Sequence, residues 1–168
     1  PHSLEAEQSV LGALLLDNDA ADKVGDVLSA ADFYSDAHRI IFDHVARLIG
    51  EGRPADAVRL AEALASAGKL DHVGGLAYLG ALVQGVPTAA NVRHYAQIVR
   101  DRSVLRQLAS TAAEIAESAY QPAGRNASQL LDEAETRVMH IAEAGSRGRK
   151  QYAKVGDLLP GVVERIEE

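Results

Sequence analysis

Residues 98–145 read IVRDRSVLRQLASTAAEIAESAYQPAGRNASQLLDEAETRVMHIAEAG. On the first arm Leu105, Leu108, Ala112, Ile115 and Ala119 recur at alternating spacings of three and four, and on the second Leu131, Ala134, Val138 and Ile141 do the same. That is the pattern of two helices packed along a seam at a shallow angle. Between the arms, Gln121-Pro122-Ala123-Gly124-Arg125-Asn126 contains a proline and a glycine, which a helix does not run through. The stretch therefore predicts an antiparallel helical hairpin. Such a hairpin buries one stripe per helix, yet Ala109, Ala116 and Leu130 place further small or apolar groups beside the seam. The simplest use for that surface is to pack against a second hairpin from another subunit. Leu105, Leu108, Ala112, Ile115, Leu131, Ala134, Val138 and Ile141 are the expected dimer interface, shared between the seam inside one hairpin and the contact with its partner.

Upstream, the pattern breaks into shorter helices. Ser3 is a good N-cap, with Glu5 and Glu7 in the first turn where the helix dipole favours them. Val10, Leu11, Leu14 and Leu15 form a core stripe ending at Asp17-Asn18-Asp19, and a short helix carries Val24, Val27 and Leu28. Ala31-Asp32-Phe33-Tyr34 reads as a loop whose two aromatics fold back on the core. Asp36 is the expected cap of a helix with Ile40, Ile41, Val45, Leu48 and Ile49 inside, closed by Gly50 and Gly52. Asp56 caps the next, with Val58, Leu60, Ala61 and Leu64 inside and Gly68 as its stop. Gly74-Gly75 leads into a helix with Leu76, Leu79, Leu82 and Val83, and Val86-Pro87-Thr88 breaks it. A long helix is expected from near Thr88 to about Ala119. The division predicted is a globular head over residues 1–97, the hairpin over 98–145, and a hinge with the start of a linker helix over 146–168. The hinge, Gly145-Ser146-Arg147-Gly148-Arg149-Lys150, is basic, and Val155, Leu158, Leu159, Val162 and Ile166 give a last apolar stripe that Pro160-Gly161 interrupts.

Composition narrows the class. At 168 residues the chain fits one domain, or one domain with an appendage, and 47% hydrophobic residues are ample for a folded core. Aromatics make up only 4%, and period-two runs of β-branched residues are absent, so the fold should be all-α. The lack of cysteine excludes disulfides and fits a reducing cytosol. No apolar run approaches the roughly 20 residues that span a bilayer. A net charge of −7 does not favour a module that grips a phosphate backbone. The opening at Pro1-His2, without a methionine, and the end inside a helical pattern read as a piece of something longer.

Catalytic chemistry finds no anchor in the sequence. There is no G-x-x-x-x-G-K-[ST], and Gly68-Lys69 followed by Leu70 is a helix stop rather than a phosphate cradle. No glutamate has a histidine three residues later, and His2, His38, His44, His72, His94 and His140 lack ligand spacing. Most of them are expected at the surface or the core edge. With no cysteine and no G-x-S-x-G, nucleophilic catalysis is unsupported. Arg93, Arg100, Arg102 and Arg106 spread around one helix with Asp101 among them, which favours surface ion pairing over a polyanion contact. Neither a cofactor nor a metal is expected in this chain.

The opening Pro1-His2-Ser3-Leu4-Glu5-Ala6-Glu7-Gln8-Ser9-Val10-Leu11-Gly12 resembles the start of the N-terminal domain of bacterial replicative DNA helicases, the DnaB family. The likeness continues through Asp32-Phe33-Tyr34, His38-Arg39-x-Ile41-Phe42, Gly74-Gly75-x-Ala77-Tyr78-Leu79 and Ala90-Asn91-x-x-x-Tyr95-Ala96-x-Ile98-Val99. It reaches Leu130-Leu131-Asp132-x-Ala134-Glu135 and Val163-x-Arg165-Ile166-Glu167, covering essentially the whole chain. The resemblance implies a helical head and a hairpin that pairs between subunits, three such dimers forming the collar of a hexameric ring. It implies a linker helix, here Val155, Leu158, Leu159, Val162 and Ile166, that docks on the neighbouring subunit. An ATPase domain holding ATP and Mg would follow, outside this chain. Implied partners are a second copy, primase, a helicase loader and, through the full ring, single-stranded DNA at a cytoplasmic, nucleoid-associated fork. Primase contact would fall on Ile115, Tyr120 and Leu130, unless Tyr120 and Leu130 only pin the hairpin loop. The expected function is oligomerisation and partner docking without catalysis. A collar that contacts single-stranded DNA directly is the alternative, which the charge and the scarce aromatics disfavour.

Overall fold

The computed structural model describes residues 1–145, so the stripe expected at Val155, Leu158, Leu159, Val162 and Ile166 lies outside the described residues. The described part holds eight α-helices, α1 (Leu4–Leu16), α2 (Ala21–Val24), α3 (Asp36–Gly50), α4 (Ala57–Ser66), α5 (Leu70–Val73), α6 (Gly75–Gln84), α7 (Val92–Tyr120) and α8 (Ala127–Gly145), and short 3-10 turns at Asn18–Ala20 and Ala30–Asp32. No strand occurs among the described residues, as expected of an all-α chain. Packing divides the chain within α7, into a compact unit of Pro1–Ser103 and a second that begins at Val104. The sequence suggested residue 97 for that boundary. The difference arises because Val99 and Ser103 remain buried in the first unit.

The head is built around α1, which packs on α3 and α6 and buries Val10, Leu11, Leu14 and Leu15. A helix enclosed on several sides cannot carry one polar face, which is why α1 has no polar side chain from Val10 to Leu16. Gly12 has a specific reason to lack a side chain. A Cβ there would stand 2.2 Å from the Leu82 carbonyl oxygen and 2.6 Å from Val86 Cγ2, so the glycine lets α1 and the end of α6 touch backbone to side. Around this contact Ile41, Val45, Leu60, Leu64 and Leu79 complete the core, with Phe33 against Phe42 at a ring separation of 4.9 Å.

Side chains fix the start of α1, α3 and α4. Ser3 accepts the Ala6 N–H at 3.3 Å and Asp56 the Arg59 N–H at 2.8 Å, as capping residues should. Ser35, not Asp36, caps α3, its hydroxyl accepting the His38 N–H at 3.4 Å. Asp36 is already the first helical residue. Gly68, at φ +71°, ends α4 and lets the Lys69 N–H reach the Leu64 carbonyl at 2.8 Å. The short α5 that follows is too brief to leave a periodic signal, and α7 begins at Val92 rather than near Thr88. Two apolar residues expected inside, Val58 and Leu76, are exposed, because Leu60, Ala61 and Leu64 on α4 and Leu79 and Leu82 on α6 already fill the inward faces.

The second unit joins the rest of α7 to α8 through a tight connection. Ala123 and Gly124 adopt left-handed φ values of 51° and 83° there. Asn126 and Gln129 then close a reciprocal cap on α8, each backbone N–H donating to the other's side-chain oxygen at 2.9 Å.

Gly12→Ala should cost the upper part of the roughly 1–3 kcal/mol typical of overpacking, because the atoms it meets are a backbone carbonyl and a buried valine. Leu64→Ala, which empties a buried site, should cost about 2–5 kcal/mol. Denaturant unfolding of the two variants checks both, and unchanged midpoints would contradict this core.

Candidate functional site

The hairpin's inward and outward faces are the reverse of a self-sufficient pair of helices. Facing the other arm, α7 presents Val104, Gln107, Thr111, Ile115 and Ser118 in half-buried positions. From α8 come Leu130 and Ala134, half-buried, and Ile141, the one apolar residue of the second unit buried among the described residues. Polar Gln107, Thr111 and Ser118 line the interior alongside them, and at its exposed edge Arg137 donates to Glu114 at 2.9 Å. Leu105, Leu108 and Ala112 stand one residue further along, about 100° around the helix, and so point away from α8. Leu105 is 46% exposed and Leu131 is 65% exposed, and Leu108, Val138 and Met139 are similarly open.

The eight residues expected at the interface therefore separate. Leu105, Leu108, Ala112, Leu131 and Val138 lie on the outside, Ile115 and Ala134 are shared with the seam, and Ile141 belongs to the seam. The sequence pattern could not make this division, since an apolar period identifies a face without saying what covers it. Met139 was missed because it falls outside the three-four repeat. Near the tip, Ile115, Ala119, Ala127, Leu130, Leu131 and Ala134 line an apolar groove of about 370 Å³ with Glu133 and Arg137 at its rim. Leu130 is part of that groove. Tyr120 is 89% exposed and does not pin the loop; Arg125 does, through Glu133 and the Pro122 carbonyl.

The densest polar chemistry lies in the head and was not expected there. Glu7 is only 1% exposed, and its carboxylate accepts the backbone N–H groups of Tyr34 at 3.0 Å and Ser35 at 3.2 Å. His38 Nδ1 approaches the same carboxylate at 2.9 Å, and its Nε2 meets the Tyr78 hydroxyl at 2.6 Å. A carboxylate, an imidazole and a hydroxyl in line suggest a catalytic relay. Their partners assign them a structural role instead: Glu7 is an internal anion at the N-terminus of α3, satisfying two amides before the first helical turn. Burial alone would raise the Glu7 carboxyl, but the His38 hydrogen bond and the Tyr34 and Ser35 amides outweigh it and hold it below its ordinary 4.5. His38 and His44 are buried rather than peripheral, His44 donating from Nδ1 to the Ile40 carbonyl at 2.9 Å. Arg100 is not a surface ion pair either, since it meets the buried Asp32. Among the described residues no group of side chains could hold a metal ion, and no buried side-chain polar atom lacks a partner. No described helix is long and apolar enough to cross a membrane.

Comparison with known proteins places these features in context. Residues 1–101 match the model of the DnaB-like helicase N terminal domain. The replicative DNA helicase DnaB of Pasteurella multocida is 41% identical over 167 residues, which is 99% of this chain and 36% of that protein. The crystal structure of the N-terminal domain of DnaB helicase from Mycobacterium tuberculosis is similar at 40% identity and a TM-score of 0.79, over 83% of this chain and 98% of that one. A DnaB-like replicative helicase, whose structure was described with its interactions with primase, shares the fold at 23% identity and a TM-score of 0.71. The alignment covers 99% of this chain and 35% of that one.

Because Glu7 is depressed in the folded state, its contribution to stability is complete above 4.5 and is lost as pH falls through the lower folded value. Glu7→Gln should therefore destabilise the head near neutral pH, and the gap to the parent chain should narrow on acidification below about pH 5. Melting curves of both proteins across that range check this, and a gap that stays constant or widens would contradict it.

Proposed function

The chain belongs to the DnaB-like helicase N-terminal domain family, and from that premise we propose that it is the assembly and partner-docking part of a replicative helicase, without catalysis of its own. It spans about a third of the length of the relatives it matches, 36% in the first of them. Unwinding, ATP hydrolysis and action at a bacterial replication fork are properties proposed for a whole protein containing it. ATP and Mg are proposed for a part of the whole protein outside this chain, whose own sequence has no phosphate loop.

The observation that carries the proposal is the outward apolar face of the hairpin. Burying a leucine, valine or methionine fully is worth roughly 1.5–3 kcal/mol. Leu105, Leu108, Leu131, Val138 and Met139, each about half exposed, would together contribute several kcal/mol per chain on burial. A second hairpin of the same kind is the natural cover, because a two-fold contact presents one patch to its own copy. Three such dimers would close a hexameric collar, and the linker stripe after residue 150 would dock on the neighbouring subunit. The tip groove, with Ile115 and Leu130 in its wall and Tyr120 beside it, is proposed as the primase contact, and a helicase loader as a further partner. Single-stranded DNA would pass through the full ring. Direct gripping of DNA by this part is the weaker reading, given a net charge of −7.

Ala112→Glu places a charge on the outward face, where one hairpin alone tolerates it and a paired one does not. In sedimentation experiments this variant should lose self-association while the head stays folded, and retention of the parent mass would place the interface elsewhere. Leu130→Ala and Tyr120→Ala should weaken primase binding with self-association intact. Full affinity in both variants would remove the tip from the docking surface.

A further inference from the structure

The long helix α7 has no glycine or proline between Val92 and Tyr120, so nothing in its backbone marks where the head ends. Its buried positions do. Val92, Ala96, Val99 and Ser103 recur at spacings of four, three and four, and no later residue of the helix is buried. The last position in this stripe is a serine. It makes a hydrogen bond there: Ser103 Oγ donates to Asp32 Oδ1 at 2.8 Å. Arg100 Nη1 donates to the same oxygen at 2.6 Å, and the Ser29 N–H donates to Oδ2 at 2.8 Å. Asp32 is 3% exposed and the Arg100 side chain is only 15% exposed. Removing the Asp32 carboxylate takes the shared acceptor from both α7 donors at once.

We propose that Asp32 is a positioning residue that fixes the length of α7 belonging to the head. With its carboxylate in place, the turn from Arg100 to Ser103 is part of the head's cooperative unit. Without it that turn behaves as the helix beyond Val104 does, and the head's hold on α7 ends at Val99. The chain 29–35 makes this possible because it is fastened at both ends. Asp32 grips α7, and two residues later the Tyr34 and Ser35 amides are held by Glu7 of α1. Removing Asp32 therefore detaches one turn of α7 without releasing the segment from α1. This inference concerns the head alone and stands whether or not the hairpin pairs.

The test is hydrogen exchange, read by peptide across the whole 168-residue chain, for Asp32→Asn and Ser103→Ala. The expected result is an acceleration on the order of tenfold in peptides covering residues 98–106, with α1 and α3 unchanged, as for a local opening that loses one charge-assisted hydrogen bond. Ser103→Ala removes a single hydroxyl and should show the same pattern with a smaller factor. It decides the matter should Asp32→Asn fail to fold. Arg100→Lys, which keeps the charge near Asp32, should restore most of the protection lost in Arg100→Ala. Unchanged exchange at 98–106, or equal acceleration in 98–106, α1 and α3, overturns the proposal. The second outcome would mean that Asp32 contributes only to global stability.

Discussion

A pair of helices has one shared face, and in this chain that face is half polar. Gln107, Thr111 and Ser118 occupy positions facing α8, while Leu105 and Leu108 point into solvent. An isolated hairpin gains little from such an arrangement, since apolar burial is the main force that holds helices together in water. The same geometry is sensible once a second surface is supplied. The inner face then needs only to set the spacing of the arms, with Ile141 in that role, and in the proposed pair the outer face would carry the association energy. The exposed leucines and the membership of a helicase N-terminal family fit that reading together.

The head is stabilised differently. Its core is ordinary packed aliphatic structure around α1, but the connection over residues 29–35 is held by two buried carboxylates. Glu7 reaches it from α1, and Asp32 extends from it to α7. Each anion is matched by several donors, which keeps the cost of burial acceptable. Segments without regular hydrogen bonding usually lie at the surface, because their amides need partners. Here Glu7 supplies those partners from the interior and turns the start of α3 into a fixed point.

Much of the architecture was legible in the sequence, and the failures have physical causes. Leu11, Ile41, Val45, Leu64 and Leu79 were readable as core because helical period alone places them inward, and all are buried. Ser3 and Asp56 were readable as caps because their side chains precede strong apolar stripes. Ser35 was not, because Asp36 beside it is an equally good capping residue. The Glu7–His38–Tyr78 network left no trace in periodicity, since its members are far apart in the chain and polar residues on helices are usually solvated. All three nevertheless stand among the residues that carry the family resemblance, which was the available signal. Most apolar residues of the hairpin were legible in the sequence, Met139 excepted, but their division between seam and outer face depends on rotation of α7 by a single residue. No repeat of threes and fours specifies that rotation.

The account rests most heavily on the claim that the outward face of the hairpin is covered by another copy of the chain. Sedimentation equilibrium of the 168-residue protein from nanomolar to high micromolar concentration tests it directly. The account predicts a reversible, concentration-dependent rise from 17.8 kDa to at least twice that mass. A mass of 17.8 kDa throughout that range would contradict it.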